Sequence, residues 1–444
     1  MNLVRKLRQD DLLSKVISHS AHLFSSNSIS LVLSVVQGIL AARLLGPANY
    51  GLIAIVMSYA STVNGLFSFR MSETVVRYGG EYLEKNEKQK ASALIKAASL
   101  GETTVSVLAF IVVVLSAGIA TRSIAKTPGT EWMFIVYSLG LLANFNTETS
   151  TGILQITDHV KLRGTINLIQ TIVSALVIGA AFLLKGSLTI VLIAYLLGKA
   201  ILGLGLFLAA QIQLHRVLGQ GWFRAPFSVL PSFRELFRFA FTSNLSATAI
   251  LIFRESEILW VGYFLTSEAA GYYKVAYTII SLLSVPADPL ILTVYPELNR
   301  LIVQKAWPRL RDFLRKVTAL SFAYNIVLAL GFIVLGRWVL WVYGPKYIVA
   351  YPALIALLIG MVFNYTLFWN RPLLLSFNLP AFPLWATLIA GLLKVGLAFP
   401  LVPRYGYVME AALLSMYYIL SVGLIVWRGM RELRHQESIN REER

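Results

Sequence analysis

The sequence predicts an all-α polytopic membrane protein, because hydrophobic residues are abundant, charges are scarce and long apolar runs recur along the chain. Of its 444 residues, 57% are hydrophobic and only 14% are charged. About a quarter of the residues of a soluble globular chain are charged. So few charges cannot cover a water-exposed surface, and most of the chain is therefore predicted to lie in lipid.

Twelve apolar runs are long enough to serve as transmembrane helices. A bilayer core about 30 Å thick requires roughly 20 apolar residues in a helix. The first run follows a polar, amphipathic stretch and is predicted to be a span rather than a cleaved signal. The runs lie near residues 22–44, 50–70, 97–120, 131–155, 164–184, 188–213, 236–263, 269–294, 314–336, 349–370, 381–400 and 406–428. An even number of spans places both chain ends on one side of the membrane.

The basic residues fall mainly in alternate links between these runs. They cluster at the N-terminus, in links 70–96, 156–163 and 296–316, in the central link and in the tail. The opposite links hold far fewer: Arg43, Arg122, Lys126, Lys185, Arg337, Lys346 and Arg404. Because basic residues near span ends are retained in the cytoplasm, both chain ends are predicted to be cytoplasmic in a cell membrane. Topology thus accounts for the net charge of +17 without a nucleic-acid partner.

Several kinds of chemistry are excluded by residue content. The chain has no Cys, so disulfides, thiolate catalysis and Cys-ligated metal sites are ruled out. Its five His residues are scattered without the spacing of metal ligands, and no nucleotide-binding loop is present. We therefore expect no cofactor and no resident metal, and an ATP-driven pump contained in this chain is excluded.

The two halves of the sequence resemble each other. A shift of 220 residues aligns the following pairs without a gap: Leu45 with Leu265, Gly51 with Gly271, Leu94 with Leu314, Lys96 with Lys316 and Leu100 with Leu320. Internal repeats are a common way of building transporters, and six spans per half imply that both halves insert in the same orientation. We predict two parallel six-helix lobes, 1–214 and 236–430, joined by a cytoplasmic linker, 215–235, and followed by a cytoplasmic tail, 431–444.

Three segments near the N-terminus carry a family resemblance. They are Ala41-Ala42-Arg43-Leu44-Leu45-Gly46-Pro47-Ala48-Asn49-Tyr50-Gly51, Ser72-Glu73-Thr74-Val75-Val76-Arg77-Tyr78 and Glu81-Tyr82-Leu83-Glu84-Lys85. The chain resembles the polysaccharide flippases of Wzx type in the multidrug/oligosaccharidyl-lipid/polysaccharide (MOP) transporter superfamily. The resemblance implies a MATE-like fold in which helices one, two, seven and eight line a central cavity. It also implies transfer of a lipid-linked oligosaccharide from the cytoplasmic to the outer leaflet.

The number of spans bears on the cargo. The chain is also similar to the lipid II flippases, which carry two additional C-terminal helices. Because only twelve spans are predicted here, a peptidoglycan precursor is the less favoured cargo.

Ionisable residues inside spans are the first candidates for function, because each costs several kcal/mol unless it has a partner or a watery cavity. The seventh run carries Arg254, Glu255 and Glu257. Arg254 and Glu257 are three residues apart and are able to pair on one helix face. Alternatively, Arg254 holds a lipid diphosphate, since a guanidinium binds phosphate oxygens in bidentate fashion.

Other polar residues within spans are weaker candidates for binding substrate. They are Lys274 in the eighth run, Asn27 and Gln37 in the first, Asn64 in the second and Asn244 in the seventh. Lys274 either adds a second cation or extends to the interface. The amides either bind sugar hydroxyls or form the hydrogen bonds that commonly join membrane helices.

Three residues are candidates for gating. Arg70 and Glu73 close the second helix at its cytoplasmic end, where ordinary interfacial charges are the alternative. Asp288 lies between Pro286 and Pro289, which predict a kink that either bends during transport or is static. A further group of charged residues lies in or beside spans without a partner evident from sequence: Glu148, Lys199, Arg371, Lys394 and Glu410.

The sequence favours a flippase for undecaprenyl- or polyprenyl-diphosphate-linked oligosaccharide that works by alternating access between two lobes. A proton or sodium ion is a possible coupling partner, with Glu255 or Glu257 as the candidate site. A cation-coupled multidrug exporter is the alternative within the fold, and it predicts an acidic, aromatic-lined cavity. An integral-membrane polysaccharide polymerase or acyltransferase is less favoured, because the outer links are short and contain no His. We therefore expect a transporter and not an enzyme.

Overall fold

A computed structural model of the chain describes residues 11–68, 71–230, 248, 250–284 and 287–442. These residues form helices joined by short turns, and no strand occurs among them. A helix satisfies all its backbone hydrogen bonds internally, as a chain in lipid requires. The predicted all-α class is confirmed.

The first half of the chain contains six main helices. They are α1 (Asp11–Phe67), α2 (Lys88–Ala120), α3 (Glu131–Ala143), α4 (Thr147–Ile156), α5 (Val160–Leu183) and α6 (Leu188–Leu218). Three short helical segments connect α1 to α2: Met71–Thr74, Val75–Gly79 and Gly80–Glu84.

The described part of the second half contains eight α-helices of very different length. They are α7 (Glu257–Phe264), α8 (Ser267–Ser281), α9 (Ala287–Val303), α10 (Trp307–Tyr343), α11 (Tyr351–Thr366), α12 (Asn370–Ser376), α13 (Ala381–Tyr405) and α14 (Tyr407–Glu442). A π-helical segment, Leu251–Glu255, precedes α7.

Eight helical stretches of the described chain have the length and composition needed to cross a membrane. They are Ile29–Glu84, Lys88–Ala125, Val160–Leu183, Leu188–Leu218, Trp307–Tyr343, Pro345–Ser376, Ala381–Tyr405 and Tyr407–Ile439. The first of these stretches contains two predicted runs. The fourth and eighth predicted runs fall on helices that are interrupted, namely α3 with α4 and α8 with α9. The polytopic membrane architecture is thus confirmed.

Gly46 separates the first two predicted spans, which belong to the long helix α1. Its backbone has φ 71° and ψ 173°, a conformation outside the helical region. Glycine adopts a positive φ without a steric penalty, and the ring of Pro47 prevents the preceding turn from continuing. The Gly-Pro pair therefore converts one apolar stretch into two helical arms.

The chain divides into two compact units. Unit 1 comprises Met1–Leu45, Tyr59–Arg122 and Thr127–Thr248, and unit 2 comprises Gly46–Ser58, Ser123–Lys126 and Ala249–Arg444. Two segments from the first half of the sequence therefore pack within unit 2. The lobe boundaries expected from sequence, with a linker at 215–235, stay a prediction.

Turn residues with left-handed backbone recur at equivalent positions in the two halves. Asn86 (φ 58°) corresponds to Lys305 (φ 50°), and Asp158 (φ 61°) corresponds to Asn378 (φ 58°), at shifts close to that of the sequence repeat. An interrupted helix also occurs at the same place in the order of each half, α3 with α4 and α11 with α12. The recurring turns and breaks agree with the internal repeat inferred from the sequence.

Small residues bring the helices of unit 2 close together around the site described below. The backbone N–H of Gly360 in α11 donates to Ser415 Oγ in α14 at 3.0 Å. The same hydroxyl donates to the carbonyl of Ala356 at 2.5 Å. Close helix packing through glycine and serine is typical of membrane bundles. It joins α11 and α14, which both contribute to the cavity of unit 2.

Candidate functional site

Unit 2 contains a cavity of about 670 Å³. Its lining comes from the π-helical segment and from α8, α9, α11, α12, α13 and α14. The polar and charged lining residues are Arg254, Tyr277, Ser281, Ser284, Tyr295, Asn364, Tyr365, Asn370, Arg371, Thr387, Tyr417, Tyr418 and Ser421. Its volume is within the range of small-molecule binding sites.

The charges of this cavity are of one sign. Arg254 and Arg371 both line it, and none of the lining residues that the structure describes is Asp or Glu. The guanidinium carbon of Arg254 lies 5.5 Å from the centre of the Tyr418 ring, a cation–π distance. Tyr417 and Tyr418 line the same cavity as the two arginines. The cavity is therefore cationic and rich in tyrosine.

Arg254 owes its position to the π-helical segment Leu251–Glu255. This segment ends at Ser256, whose backbone N–H donates to the carbonyl of Leu251 at 3.0 Å. The neighbouring Phe253 is buried against Gly391 of α13, where a β-carbon would overlap the phenyl ring. Widened helical turns often occur at functional sites. Here the wide turn buries Phe253 while Arg254 lines the cavity.

Arg371 owes its position to the break between α11 and α12. The Trp369 side chain within the break donates from Nε1 to Thr318 Oγ1 at 2.8 Å. Asn370 then starts α12 and donates from Nδ2 to the carbonyl of Leu367 at 2.7 Å. The sequence marked Arg371 as a charge beside the tenth span but did not connect it with Arg254. The only sequence signal was an arginine at the end of an apolar run.

A second charged group in unit 2 is deeply buried. Glu257 at the start of α7, Lys394 in α13 and Glu410 in α14 are 2%, 1% and 0% exposed. Lys394 Nζ forms an ion pair with Glu257 and lies 3.0 Å from Glu410 Oε1. Tyr273 of α8 donates its hydroxyl to Glu257 Oε2 at 2.6 Å. The sequence had left Lys394 and Glu410 without partners.

The pairing of Arg254 with Glu257 that the spacing allowed is wrong. Glu257 is bound to Lys394 and Tyr273, whereas Arg254 lines the cavity and faces Tyr418. Residues three apart share a face only where the α-helix is continuous. The π-helical turn and the non-helical ψ of 15° at Ser256 rotate the two residues apart.

The remaining predicted substrate residues are dispersed. Glu255 is exposed on the π-helical segment, and Lys274 is half-buried on α8 outside the cavity lining. Gln37 is buried in unit 1 and donates from Nε2 to the carbonyl of Thr171 at 2.7 Å, which joins α1 to α5. Asn64 is half-buried on α1. Their contact with substrate stays a prediction.

Several predicted residues lie outside the described part of the chain. Arg70 and Asn244 are not among the described residues, and the side chains of Asn27 and Asp288 are not among those described. Glu73 is exposed in the short helix Met71–Thr74. The gating role of Arg70, Glu73 and Asp288 stays a prediction.

Unit 1 contains a smaller polar cavity of about 370 Å³. Its lining includes Glu148, Gln155, Arg163 and Asn167. The Glu148 carboxylate accepts a hydrogen bond from Ser72 Oγ at 2.5 Å. This cavity contains one acidic and one basic residue, so it lacks the uniformly positive character of the cavity in unit 2.

The first turn of α4 in unit 1 is capped by a buried carboxylate. Glu102 of α2 accepts the backbone N–H groups of Glu148 and Thr149, each at 2.8 Å. A carboxylate is favourable at a helix N-terminus because it satisfies free donors and the helix dipole. Among the described residues, no group of three His, Asp or Glu side chains is arranged to hold a metal ion.

Known proteins similar to this chain include a bacterial inner membrane protein and transporters of solved structure. The inner membrane protein YghQ of Escherichia coli (strain K12) is 24% identical over 344 residues, covering 77% of this chain and 96% of YghQ. An inward-facing multidrug resistance MATE transporter of the MOP superfamily has a TM-score of 0.73 at 13% identity, covering 92% of this chain and 96% of that one.

Two further solved structures share the fold. The lipid II flippase MurJ in an inward closed conformation has a TM-score of 0.71 at 15% identity, covering 93% of this chain and 87% of MurJ. A MOP transporter from Pyrococcus furiosus, described as having a binding pocket of reverse polarity, has a TM-score of 0.64 at 13% identity and covers 95% and 96% of the two chains. The MATE-like fold is thus confirmed. The family model of polysaccharide biosynthesis proteins matches residues 16–302, and the chain belongs to that family.

Proposed function

We propose that this protein is a flippase that transfers a lipid-diphosphate-linked oligosaccharide from the cytoplasmic to the outer leaflet of the cell membrane. Alternating access involving its two units provides the path, and both chain ends are cytoplasmic. The observation that carries the proposal is the cavity of unit 2, with two arginines and no acidic residue among its described lining. Membership of the polysaccharide biosynthesis family supports the glycan character of the cargo.

The two arginines favour a phosphate-containing cargo. A guanidinium remains protonated in proteins and presents a planar fork of donors that matches phosphate oxygens. Arg254 and Arg371 are like charges lining one cavity, and a diphosphate carries negative charge that offsets their mutual repulsion. The prenyl chain of such a cargo remains in the bilayer.

The neutral lining suits the sugar residues of the same cargo. Amides from Asn364 and Asn370 provide hydrogen-bond donors and acceptors, and the tyrosine hydroxyls add more. The aromatic faces provide apolar surface beside these groups. The cavity thus offers polar contacts for a glycan next to cationic contacts for its diphosphate.

A multidrug exporter of cations is less well supported. Such an exporter would need carboxylates that contact its cationic cargo. The carboxylates of Glu257 and Glu410 instead lie buried against Lys394, and neither residue belongs to the described lining of the cavity. The Pyrococcus furiosus transporter, with its binding pocket of reverse polarity, is an example of the same fold with a cavity of different charge. The fold alone therefore does not decide the charge of the cargo.

The proposal is tested in proteoliposomes that contain a fluorescent undecaprenyl-diphosphate sugar. Outward transfer is followed by a quencher that cannot cross the membrane, for wild type, Arg254→Gln and Arg371→Gln. Arg337→Gln is the matched control, because Arg337 is exposed beside Tyr351 and outside the cavity. We expect transfer by wild type and the control and a large loss in both cavity variants.

The other functions predict different results in the same vesicles. Transport of a cationic dye without lipid transfer supports the drug exporter and overturns the flippase. Chemical conversion of the lipid-linked sugar supports a polymerase or acyltransferase. If wild type transfers no diphosphate-linked glycan, the proposed function is wrong.

A further inference from the structure

The cavities of unit 1 and unit 2 occupy corresponding places in the two halves of the chain. Five residues that line the unit 1 cavity align, at the shift of 220 residues, with residues that line the unit 2 cavity. The aligned pairs are Glu148 with Phe368, Thr151 with Arg371, Gln155 with Leu375, Asn167 with Thr387 and Leu202 with Val422. The internal repeat thus includes a cavity in each unit.

The two cavities differ in charge. Arg371 of the unit 2 cavity aligns with the neutral Thr151 of the unit 1 cavity. The charged residues in the described lining of the unit 1 cavity are instead Glu148 and Arg163, one acid and one base. The lining of the unit 1 cavity therefore has no net charge, whereas that of the unit 2 cavity is cationic.

Polar side chains from two helices face the unit 1 cavity. In α4, Thr147, Thr151 and Gln155 follow one another at intervals of four residues, which places them on one side of the helix. In α5, Arg163 and Asn167 have the same spacing. The third helix, α6, contributes only leucines. The cavity thus has polar groups on two helices and an apolar surface on the third.

Several of these polar side chains are available to a ligand. Thr151, Gln155 and Arg163 form no side-chain hydrogen bond with any residue in the described part of the chain. Glu148 accepts from Ser72 through one carboxylate oxygen, which leaves acceptor capacity on the other. Thr151 is buried, Glu148 is half-buried, and Gln155 and Arg163 are exposed. The polar groups therefore extend from the interior of unit 1 to its surface.

We propose that the unit 1 cavity binds a sugar residue of the cargo. The proposal rests on the flippase function above and names a second contact site for the glycan. The lining residues Gln155 and Val160 flank the turn at Asp158, in the link that the basic residues assign to the cytoplasm, where the cargo is loaded. The volume of about 370 Å³ is sufficient for a sugar residue.

An uncharged sugar suits this cavity better than an anion or a metal ion. A sugar hydroxyl is both donor and acceptor, so it is able to donate to the Glu148 carboxylate or accept from Arg163. The carboxamides of Gln155 and Asn167 provide both kinds of partner. A diphosphate would meet the like charge of Glu148. A metal ion finds no group of three His, Asp or Glu side chains among the described residues.

A single-cysteine variant tests sugar binding directly, because the chain contains no cysteine. Val160→Cys places a thiol at an apolar position of the lining, so none of the proposed sugar contacts is lost. In purified full-length protein, we expect millimolar glucose, N-acetylglucosamine or rhamnose to slow the labelling of this thiol by a maleimide severalfold. Glu84→Cys, at an exposed position of unit 1 outside the cavity lining, is the control and should label at an unchanged rate.

The labelling results separate a sugar from other ligands. Protection by at least one of the three sugars, with none by inorganic diphosphate, supports the assignment. Protection by phosphoethanolamine but by no sugar indicates a zwitterionic lipid headgroup and overturns the sugar site. Absence of protection by all three sugars also overturns it, as does equal slowing at the control position.

Binding of the cargo tests whether this cavity contributes to recognition. The probes are prenyl diphosphate with and without the sugar that protects best. We expect Thr151→Val and Gln155→Met each to weaken binding of the glycosylated probe about two- to tenfold, the loss of one hydrogen bond, and to leave binding of the bare prenyl diphosphate unchanged. Gln89→Met, at an exposed position outside the cavity lining, is the matched control and should keep wild-type affinity for both probes.

The two probes also distinguish this site from the arginines of unit 2. Arg254→Gln is expected to weaken binding of both probes, because both contain the diphosphate. Unchanged affinity of Thr151→Val and Gln155→Met for the glycosylated probe, or equal weakening for both probes, overturns the sugar site. If wild type binds neither probe, the proposed flippase function fails, while sugar protection at position 160 decides the unit 1 cavity by itself.

Discussion

Gly51 and Gly271, which the internal repeat aligns with each other, are in backbone contact within unit 2. A β-carbon on Gly51 would overlap the carbonyl of Ser267 and come within 2.5 Å of the Gly271 nitrogen. A β-carbon on Gly271 would likewise overlap the carbonyl of Pro47. The second arm of α1 and helix α8 therefore cross where neither has a side chain. Close backbone approach through glycine is a recurring device in membrane helices.

Gly51→Ala and Gly271→Ala are each expected to destabilise the protein. The added methyl group meets backbone atoms, which cannot rotate away as a flexible side chain can. Overpacking of this kind costs about 1–3 kcal/mol. Thermal unfolding in detergent or lipid, followed by tryptophan fluorescence, measures the effect.

Gly331→Ala is the matched control for these variants. Gly331 lies within α10, and a β-carbon there meets nothing within 4 Å. Alanine has a higher helix propensity than glycine, so stability is expected to be unchanged or slightly higher. Equal stability of all three variants would contradict the close contact of Gly51 and Gly271.

Arg254→Gln and Arg371→Gln are expected to weaken binding of a lipid diphosphate by about ten- to a hundredfold each. A hydrogen bond to a charged group contributes about 1.5–3 kcal/mol, and each 1.4 kcal/mol corresponds to about tenfold in Kd. Titration of the purified protein with a prenyl-diphosphate sugar measures the loss. A neutral glycolipid with the same sugar should bind the two variants and wild type alike. Full affinity of both variants for the diphosphate would remove these arginines from the site.

Lys394→Met is expected to lower the free energy of unfolding by about 3–5 kcal/mol, because it leaves two carboxylates buried without their cation. The double variant Lys394→Met/Glu257→Gln should recover most of that loss. It retains Glu410 alone, so that one buried carboxyl group instead of two lacks the cation. The measurement is equilibrium unfolding in detergent for wild type, the single variant and the double variant. A single variant as stable as wild type would show that the ion pair contributes nothing.

Glu102→Gln is expected to loosen the start of α4. The carboxylate accepts two backbone N–H groups, whereas a carboxamide offers only one oxygen and leaves a donor of α4 unsatisfied. The expected loss is about 1–3 kcal/mol. Faster hydrogen exchange at the amides of Glu148 and Thr149, compared with Glu84→Gln as control, would report it. Unchanged exchange at both amides would contradict the capping role.

Much of the architecture was accessible from sequence because its signals are local. Runs of apolar residues predicted the spans, and the gap between the runs 22–44 and 50–70 contains Gly46, where the structure interrupts α1. The repeat was visible because identical residues at a fixed shift, such as Gly51 and Gly271, are found from residue order alone. Local signals failed at Arg254 and Glu257, where a π-helical turn replaced the assumed α-helical spacing.

The site depended on contacts between residues far apart in the chain. Lys394 meets Glu257 across 137 positions, and no pattern within either helix indicates that partner. Arg371 lines the same cavity as Arg254 because helix α11 ends before α12 begins. The sequence of an apolar run does not show how the helix after such a break is rotated.

By itself, the sequence determined that this protein is a helical membrane protein with repeated halves, since hydrophobicity and repetition are properties of residue order. Only the tertiary structure decided which charges neutralise one another and which line a cavity. Pairing depends on the rotation and depth of each helix, and both are set by packing against distant segments. The glycines at positions 51 and 271 illustrate the division: the sequence aligned them as equivalents, and folding placed them in contact.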